Sequence, residues 1–348
     1  MYSHKQIQFT LGLFLAVLAV APVAARQESI VFDAQTGNYI ITFEYDGQVQ
    51  QSIYVPPNKI NPVLRSRFSL TPSGDIAYRY TLKNGKDSRQ NVESLDVLVM
   101  SAKGATISTN APQYLRSQPT AETALALSAD SGKVELSTPA GWRGFVLPNP
   151  DGTGLKIGWV HWDDKVVGMG IPPGTSQSGF GYESRDLPGV GLAGIMGNAP
   201  STSFAGHGPS QEIADQLTAI RRKVHGVSRP VAVPTFAVPN PFDAVVLLQR
   251  LQKHANSDLV GLKLIDPVFA AQLDLWFNGA IDAAKNNNTT ALRNALQELR
   301  RLLKQECADV DQEGNETETD DKPVAPARIA KLAARVLNFD LKYVGSRI

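Results

Sequence analysis

From Ile30 to about Ile171 hydrophobic and polar positions alternate with a period of two. Tyr39, Ile41, Phe43 and Tyr45 alternate with Ile40, Thr42 and Glu44; Asp46-Gly47 follows, and Val49, Gln51, Ile53 and Val55 resume beyond it. Asp-Gly tolerates the positive φ that tight hairpins require, so a hairpin is predicted about residues 46–47. Ile76, Tyr78, Tyr80 and Leu82 repeat the rhythm before Asn84-Gly85, and Leu95, Val97 and Val99 mark a further strand. More strands are predicted at 133–137, 144–147, 155–162 and 166–171, separated by turn clusters at 130–132, 148–154 and 163–164. One apolar and one wet face per strand imply half-buried antiparallel sheets. Short strands at this spacing predict a β-sandwich, antiparallel and immunoglobulin-like in architecture.

Residues 172–209 are rich in Gly, Ser and Pro and read as loops closing that sheet region, giving a sandwich domain over 28–200. A helix is predicted from Ser210 through Ile213, Leu217, Ile220 and Val224. Pro230, Pro234, Pro239 and Pro241 then mark 227–240 as a stiff connector, so that 201–240 forms a helix and a proline-rich link. Beyond Asn240 the period becomes helical. Asn240-Pro241 and Asp266-Pro267 each place a capping side chain before a proline, a start signal for helices. Apolar stripes follow at Ala244, Leu247, Leu248 and Leu251, at Phe269, Leu273, Trp276 and Ala280, at Leu292, Leu296, Leu299 and Leu303, and at Ile329, Leu332, Val336 and Phe339. None is stable as a lone exposed helix, so a separate all-α bundle is predicted over 241–345, with an acidic loop at 306–321.

The first 25 residues place Lys5 before an apolar run at 11–20 and a small-residue end at Ala21-Pro-Val-Ala-Ala25. That order reads as a signal peptide cut near Ala25, and predicts a secreted or periplasmic protein. No later run of 18 residues is continuously apolar, so no membrane span is expected after cleavage. Across 348 residues, 34 Lys+Arg balance 33 Asp+Glu, which argues against nucleic acid as a partner. With Cys307 as the one cysteine, no intrachain disulfide can form and stability must come from core burial.

The segment from Phe242 to Tyr343 resembles the FIVAR and FIMAH helical modules of bacterial extracellular proteins. The resemblance rests on Phe269-Ala-Ala-Gln-Leu273, Asn278-Gly-Ala-Ile-Asp-Ala-Ala284, Asn286-Asn-Asn288, Ala291 to Leu303 and Ala327 to Leu337. It implies a noncatalytic accessory part. The sheet region is similar in style to bacterial immunoglobulin-like adhesion sandwiches.

Several motifs carry candidate chemistry. Gly189-Val-Gly-Leu-Ala-Gly194 matches the GxGxxG string, but Asp186-Leu-Pro precedes it and no helix signal follows, so it reads as a flexible loop. His161 and Asp163 share a strand face before Asp164, and would supply an envelope hydrolase together with loop residues 172–209; a strand and turn role is the plainer reading. Ser176, Ser178, Ser184 and His207 lack a nucleophile-elbow context. Asp309, Asp311, Glu313, Asn315 and Asp320 fall at the ligand spacing of a calcium loop, against the alternative of a solvated acidic linker; no other cofactor is suggested. Arg300, Arg301, Lys304, Arg328, Lys331 and Arg335 flank that segment. Trp142, Trp159 and Trp162 are the candidate ligand-binding residues, an outward indole being able to stack on a sugar, while core packing is the competing role. The expected function is a secreted noncatalytic module binding a protein or glycan partner at the envelope. A hydrolase using His161 and Asp163, and a structural component of a surface assembly, are the alternatives.

Overall fold

A computed structural model describes residues 28–99, 136–148, 155–161, 170–308 and 327–348. The expected signal peptide, Trp162, Asp163, Asp164 and the acidic residues Asp309, Asp311, Glu313, Asn315 and Asp320 lie outside the described residues. The strands are β1 (Ser29–Asp33), β2 (Asn38–Tyr45), β3 (Gln48–Tyr54), β4 (Pro62–Leu70), β5 (Ile76–Asn84) and β6 (Val92–Val99), then β7 (Trp142–Pro148), β8 (Leu155–His161), β9 (Ser176–Ser184), β10 (Leu187–Gly197) and β11 (Val227–Phe236). The helices are α1 (Gln211–Lys223), α2 (Ala244–Lys253), α3 (Pro267–Lys285), α4 (Thr289–Glu306) and α5 (Lys331–Gly345).

All sheet pairings are antiparallel. β1-β2-β3 forms a small meander; a five-stranded sheet runs β11-β10-β6-β8-β7, and a three-stranded sheet runs β4-β5-β9. Asp46 and Gly47 turn the β2–β3 hairpin with φ of 53° and 70°, as their side-chain chemistry predicts. The two larger sheets face each other across an aromatic layer. Trp159 of β8 meets Tyr80 and Tyr182 at ring distances of 6.1 and 6.4 Å, and Trp142 of β7 meets Phe180 at 4.9 Å.

Several expectations require correction. Residues 172–209 are not simply closing loops, because 176–184 and 187–197 are strands β9 and β10. Their glycines conceal the strand signal, yet close approach demands them: a Cβ on Gly181 would lie 2.4 Å from the Tyr78 carbonyl, and one on Gly189 would lie 2.4 Å from Thr235 Oγ1. The GxGxxG string is therefore a paired strand rather than a flexible loop. The expected connector at 227–240 is mostly strand β11. It lies at the edge of its sheet, where the missing N–H groups of Pro230 and Pro234 are tolerated.

Asn240-Pro241 does not start a helix either. Its peptide bond is cis, and α2 begins after Asp243, whose Oδ1 accepts from Val246 N at 3.0 Å. Asp266 does cap α3 as expected, accepting from Val268 N and Phe269 N ahead of Pro267. On α3, Phe277 takes the buried position expected of Trp276, which is 40% exposed. Steps of four from Phe269 reach 273 and 277, and 276 falls at the edge of that stripe.

The helices expected to form a separate bundle share one continuous apolar core with the facing sheets. α5 is the reason. Ala333, Val336, Leu337, Leu341 and Val344 are buried, and so are Arg335, Asn338 and Asp340 on other sides of the helix. It lies among α2, α4, β10 and β11, with Phe339 edge-on to Phe68 of β4 at 5.2 Å. A second small core joins the meander to α1, through Ile41, Phe43, Tyr54, Ile213 and Leu217.

Candidate binding cleft

Trp142 is 8% exposed and Trp159 is fully buried, so both indoles are part of the core in this structure. The Trp159 Nε1–H donates to the Ser137 carbonyl at 3.1 Å. His161 stacks edge-on against Trp142 at 5.5 Å. Ser176, Ser178 and Ser184 are strand residues of β9, and Ser184 Oγ accepts from Asp186 N. Among the described residues no group of three or more His, Cys, Asp or Glu side chains is placed to hold a metal ion.

Two polar centres are built on buried side chains. His254 accepts the Val190 N–H at Nε2 (3.1 Å) and meets Asp258 Oδ2 at Nδ1 (2.8 Å), with Phe236 edge-on to its ring. Accepting at Nε2 leaves the proton on Nδ1, so this neutral imidazole ties β10 to the π-helical turn at His254–Leu259. Burial lowers its pKa from 6.5, against the opposing pull of Asp258. A lowered folded value means that its contribution to stability is complete above pH 6.5 and is lost as the pH falls through the lowered value. Urea unfolding should therefore show the native protein weakening as the pH falls below 6.5, with a flatter profile in His254→Asn; equal slopes would refute that role. The second centre is a tyrosine cluster. Tyr80 and Tyr182 hydroxyls meet at 2.8 Å, Tyr80 donates to the Ala232 carbonyl at 2.9 Å, and Tyr78 donates to the Asp186 carbonyl at 2.8 Å.

An open site lies where the meander meets the facing sheets. A cleft of about 480 Å³ is lined by Phe32 and Tyr39 from β1 and β2, by Thr36 and Gly37 of their connecting turn, by residues 56, 58–61, 87 and 89, and by Val224 at the end of α1. Cross-strand register aligns three rings on one face of the meander, Phe32 pairing with Tyr39 and Tyr39 with Tyr54; Phe32 and Tyr39 line the cleft, while Tyr54 is buried beside them. Phe32 and Tyr39 are 5.2 Å apart between ring centroids, Tyr39 and Tyr54 are 6.0 Å apart, and the Arg221 guanidinium lies 5.4 Å over Tyr54. Ile213 and Leu217 of α1 cover Tyr54 and its neighbours, while Phe32 at the far end keeps 55% of its surface in solvent. Lys59 Nζ donates to the Thr36 carbonyl at 2.6 Å and to Asn38 Oδ1, and Arg89 Nη1 donates to the Gln35 carbonyl at 3.2 Å. Gln90 braces the wall behind them, accepting from Lys59 N and donating to the Pro56 and Asn198 carbonyls.

No protein-family model and no curated protein matches the chain. Among solved structures it is similar to an uncharacterized protein from Nocardia farcinica whose structure is described as revealing an immunoglobulin-like fold, at 11% identity and a TM-score of 0.25, over 50% of this chain and 98% of that one. No helix among the described residues is long and apolar enough to cross a membrane.

The cleft combines an exposed aromatic surface, the side-chain amides of Asn58 and Asn61, two cations and Asp87. Burial, followed by the neighbouring positive charge of Arg89, lowers the Lys59 pKa, with Asp33 opposing both. Rings receive the apolar faces of a ligand, while amides and cations orient its polar groups. Nothing in the one-dimensional pattern singles out Phe32, Tyr39, Lys59 or Arg89. Tyr39 belongs to an ordinary strand alternation, and Phe32, Lys59 and Arg89 to no motif; only the docking of the meander on the larger sheets gathers them.

Proposed function

We propose that the protein is an exported, noncatalytic module that binds a glycan of the cell envelope through the junction cleft. In this reading the facing sheets are an immunoglobulin-like sandwich, and the FIVAR/FIMAH-like helices buttress it. The observation that carries the proposal is the exposed Phe32 ring, continued by Tyr39, in a cleft edged by amides and cations. A phenyl ring more than half in water adds little to folding, whereas it offers a sugar ring a flat apolar surface. The site lies between two packed units, each with its own core, as small-ligand sites often do.

Sedimentation with purified, insoluble cell-wall glycan tests this reading. Phe32→Ala should weaken retention about three- to tenfold, with unfolding unchanged, since aromatic contacts contribute roughly 0.5–1.5 kcal/mol beyond their area. Retention that ignores Phe32, or new reducing ends released from the glycan, would overturn it.

A further inference from the structure

Lys59 and Arg89 line one cleft and are fastened by neutral acceptors. Lys59 is bound to a carbonyl and a side-chain amide oxygen, and Arg89 to a carbonyl. No carboxylate among the described residues forms an ion pair with either one. Asp87 lines the same cleft, and Asp33 acts on Lys59 at longer range. Lys59 uses two of its three donors in those bonds and Arg89 one of its five, so each keeps N–H groups with no acceptor among the described residues. Two like charges that sense each other across one cleft are an unfavourable arrangement that one anionic group between them would relieve. The aromatic floor begins next to them, because the turn that Lys59 and Arg89 grip, residues 33–37, directly joins β1 and β2, which carry Phe32 and Tyr39.

We infer that the cleft selects an acidic saccharide, a sugar ring bearing a carboxylate, with the carboxylate between Lys59 and Arg89 and the ring against Phe32 and Tyr39. This rests on the glycan-binding reading above and adds its charge requirement. The amides of Asn58 and Asn61 serve the sugar hydroxyls, since an amide both donates and accepts. Asp87 would oppose a second carboxylate on the same unit, which favours one acidic group per ring.

Calorimetric titration of the full chain with trigalacturonate, maltotriose and hexaglutamate tests the inference. Trigalacturonate should bind saturably and less tightly as salt rises, maltotriose at least tenfold more weakly, and hexaglutamate not measurably. Arg89→Gln should weaken trigalacturonate about tenfold and leave maltotriose unchanged, whereas Phe32→Ala should weaken both. Arg89 is exposed, so the variant folds; identical thermal unfolding of the two proteins confirms it. Equal affinity for both saccharides, lost in Phe32→Ala but not in Arg89→Gln, would overturn the acidic requirement and leave the glycan reading standing. Binding of hexaglutamate alone, or of none of the three, would overturn both.

Discussion

Asp340→Asn is expected to stabilise the protein by about 2 kcal/mol at neutral pH, because the native carboxyl is fully buried with no hydrogen-bond partner among the described residues, where ionisation is costly, and the amide cannot ionise. The residue lies on α5 where the helix enters the core, with Tyr78 among the groups that sense its charge. Desolvation raises its pKa well above 3.8. A raised folded value means that the folded state holds the proton more tightly than the unfolded chain does. Its favourable contribution is complete below pH 3.8 and disappears as the pH rises through the folded value. The amide has nearly the same shape and cannot ionise, so the variant lacks that term. Urea unfolding at several pH values should show the stability gap widest near neutrality and closing as the pH falls toward 4. A destabilised variant with a constant gap would mean that the carboxyl holds a buried water or another partner that an amide cannot serve.

Trp159→Ala carries the largest expected loss, about 3–5 kcal/mol. Its indole is enclosed by Tyr80, Phe180 and Tyr182, at centroid distances of 6.1, 5.7 and 6.4 Å, and joins both facing sheets. Truncation removes that ring layer and leaves a cavity that pleated sheets cannot collapse to fill. Trp159→Phe should keep most of the packing and lose about 1 kcal/mol with the Ser137 hydrogen bond. Denaturant midpoints separate the two variants. A near-neutral Trp159→Ala would mean that the indole is not part of the core and would return it to the list of candidate ligand contacts. Comparison with Phe32→Ala is informative, since both residues are strand aromatics: one is expected to govern folding and the other binding.

Local chemistry was legible in the chain. The alternation at 39–45, the Asp46-Gly47 turn, the run 76–82 and the Asp266-Pro267 cap each depend on neighbours within a few residues, and each appears in the structure where the pattern puts it. Glycine and proline misled where they served tertiary contact. β9 and β10 read as loops because Gly181 and Gly189 are small to let another strand approach, and β11 read as a connector because an edge position tolerates its prolines. The stripe on α5 was visible, but its burial on other sides was not, since a one-sided pattern cannot reveal a helix enclosed by both sheet and helices.

By itself, then, the sequence determined the period of each segment, the sharp turn after β2 and the cap of α3, because these follow from backbone sterics and hydrogen bonds between near neighbours. Only the tertiary structure decided that sheets and helices share a core, that Trp142 and Trp159 face inward, and that Phe32, Tyr39, Lys59 and Arg89 meet in one cleft. The physical reason is distance along the chain. Bonds such as Arg229 Nε to the Pro62 carbonyl or Ala232 N to Ser66 Oγ join residues more than 160 positions apart, and no local period encodes which distant surface a side chain will meet.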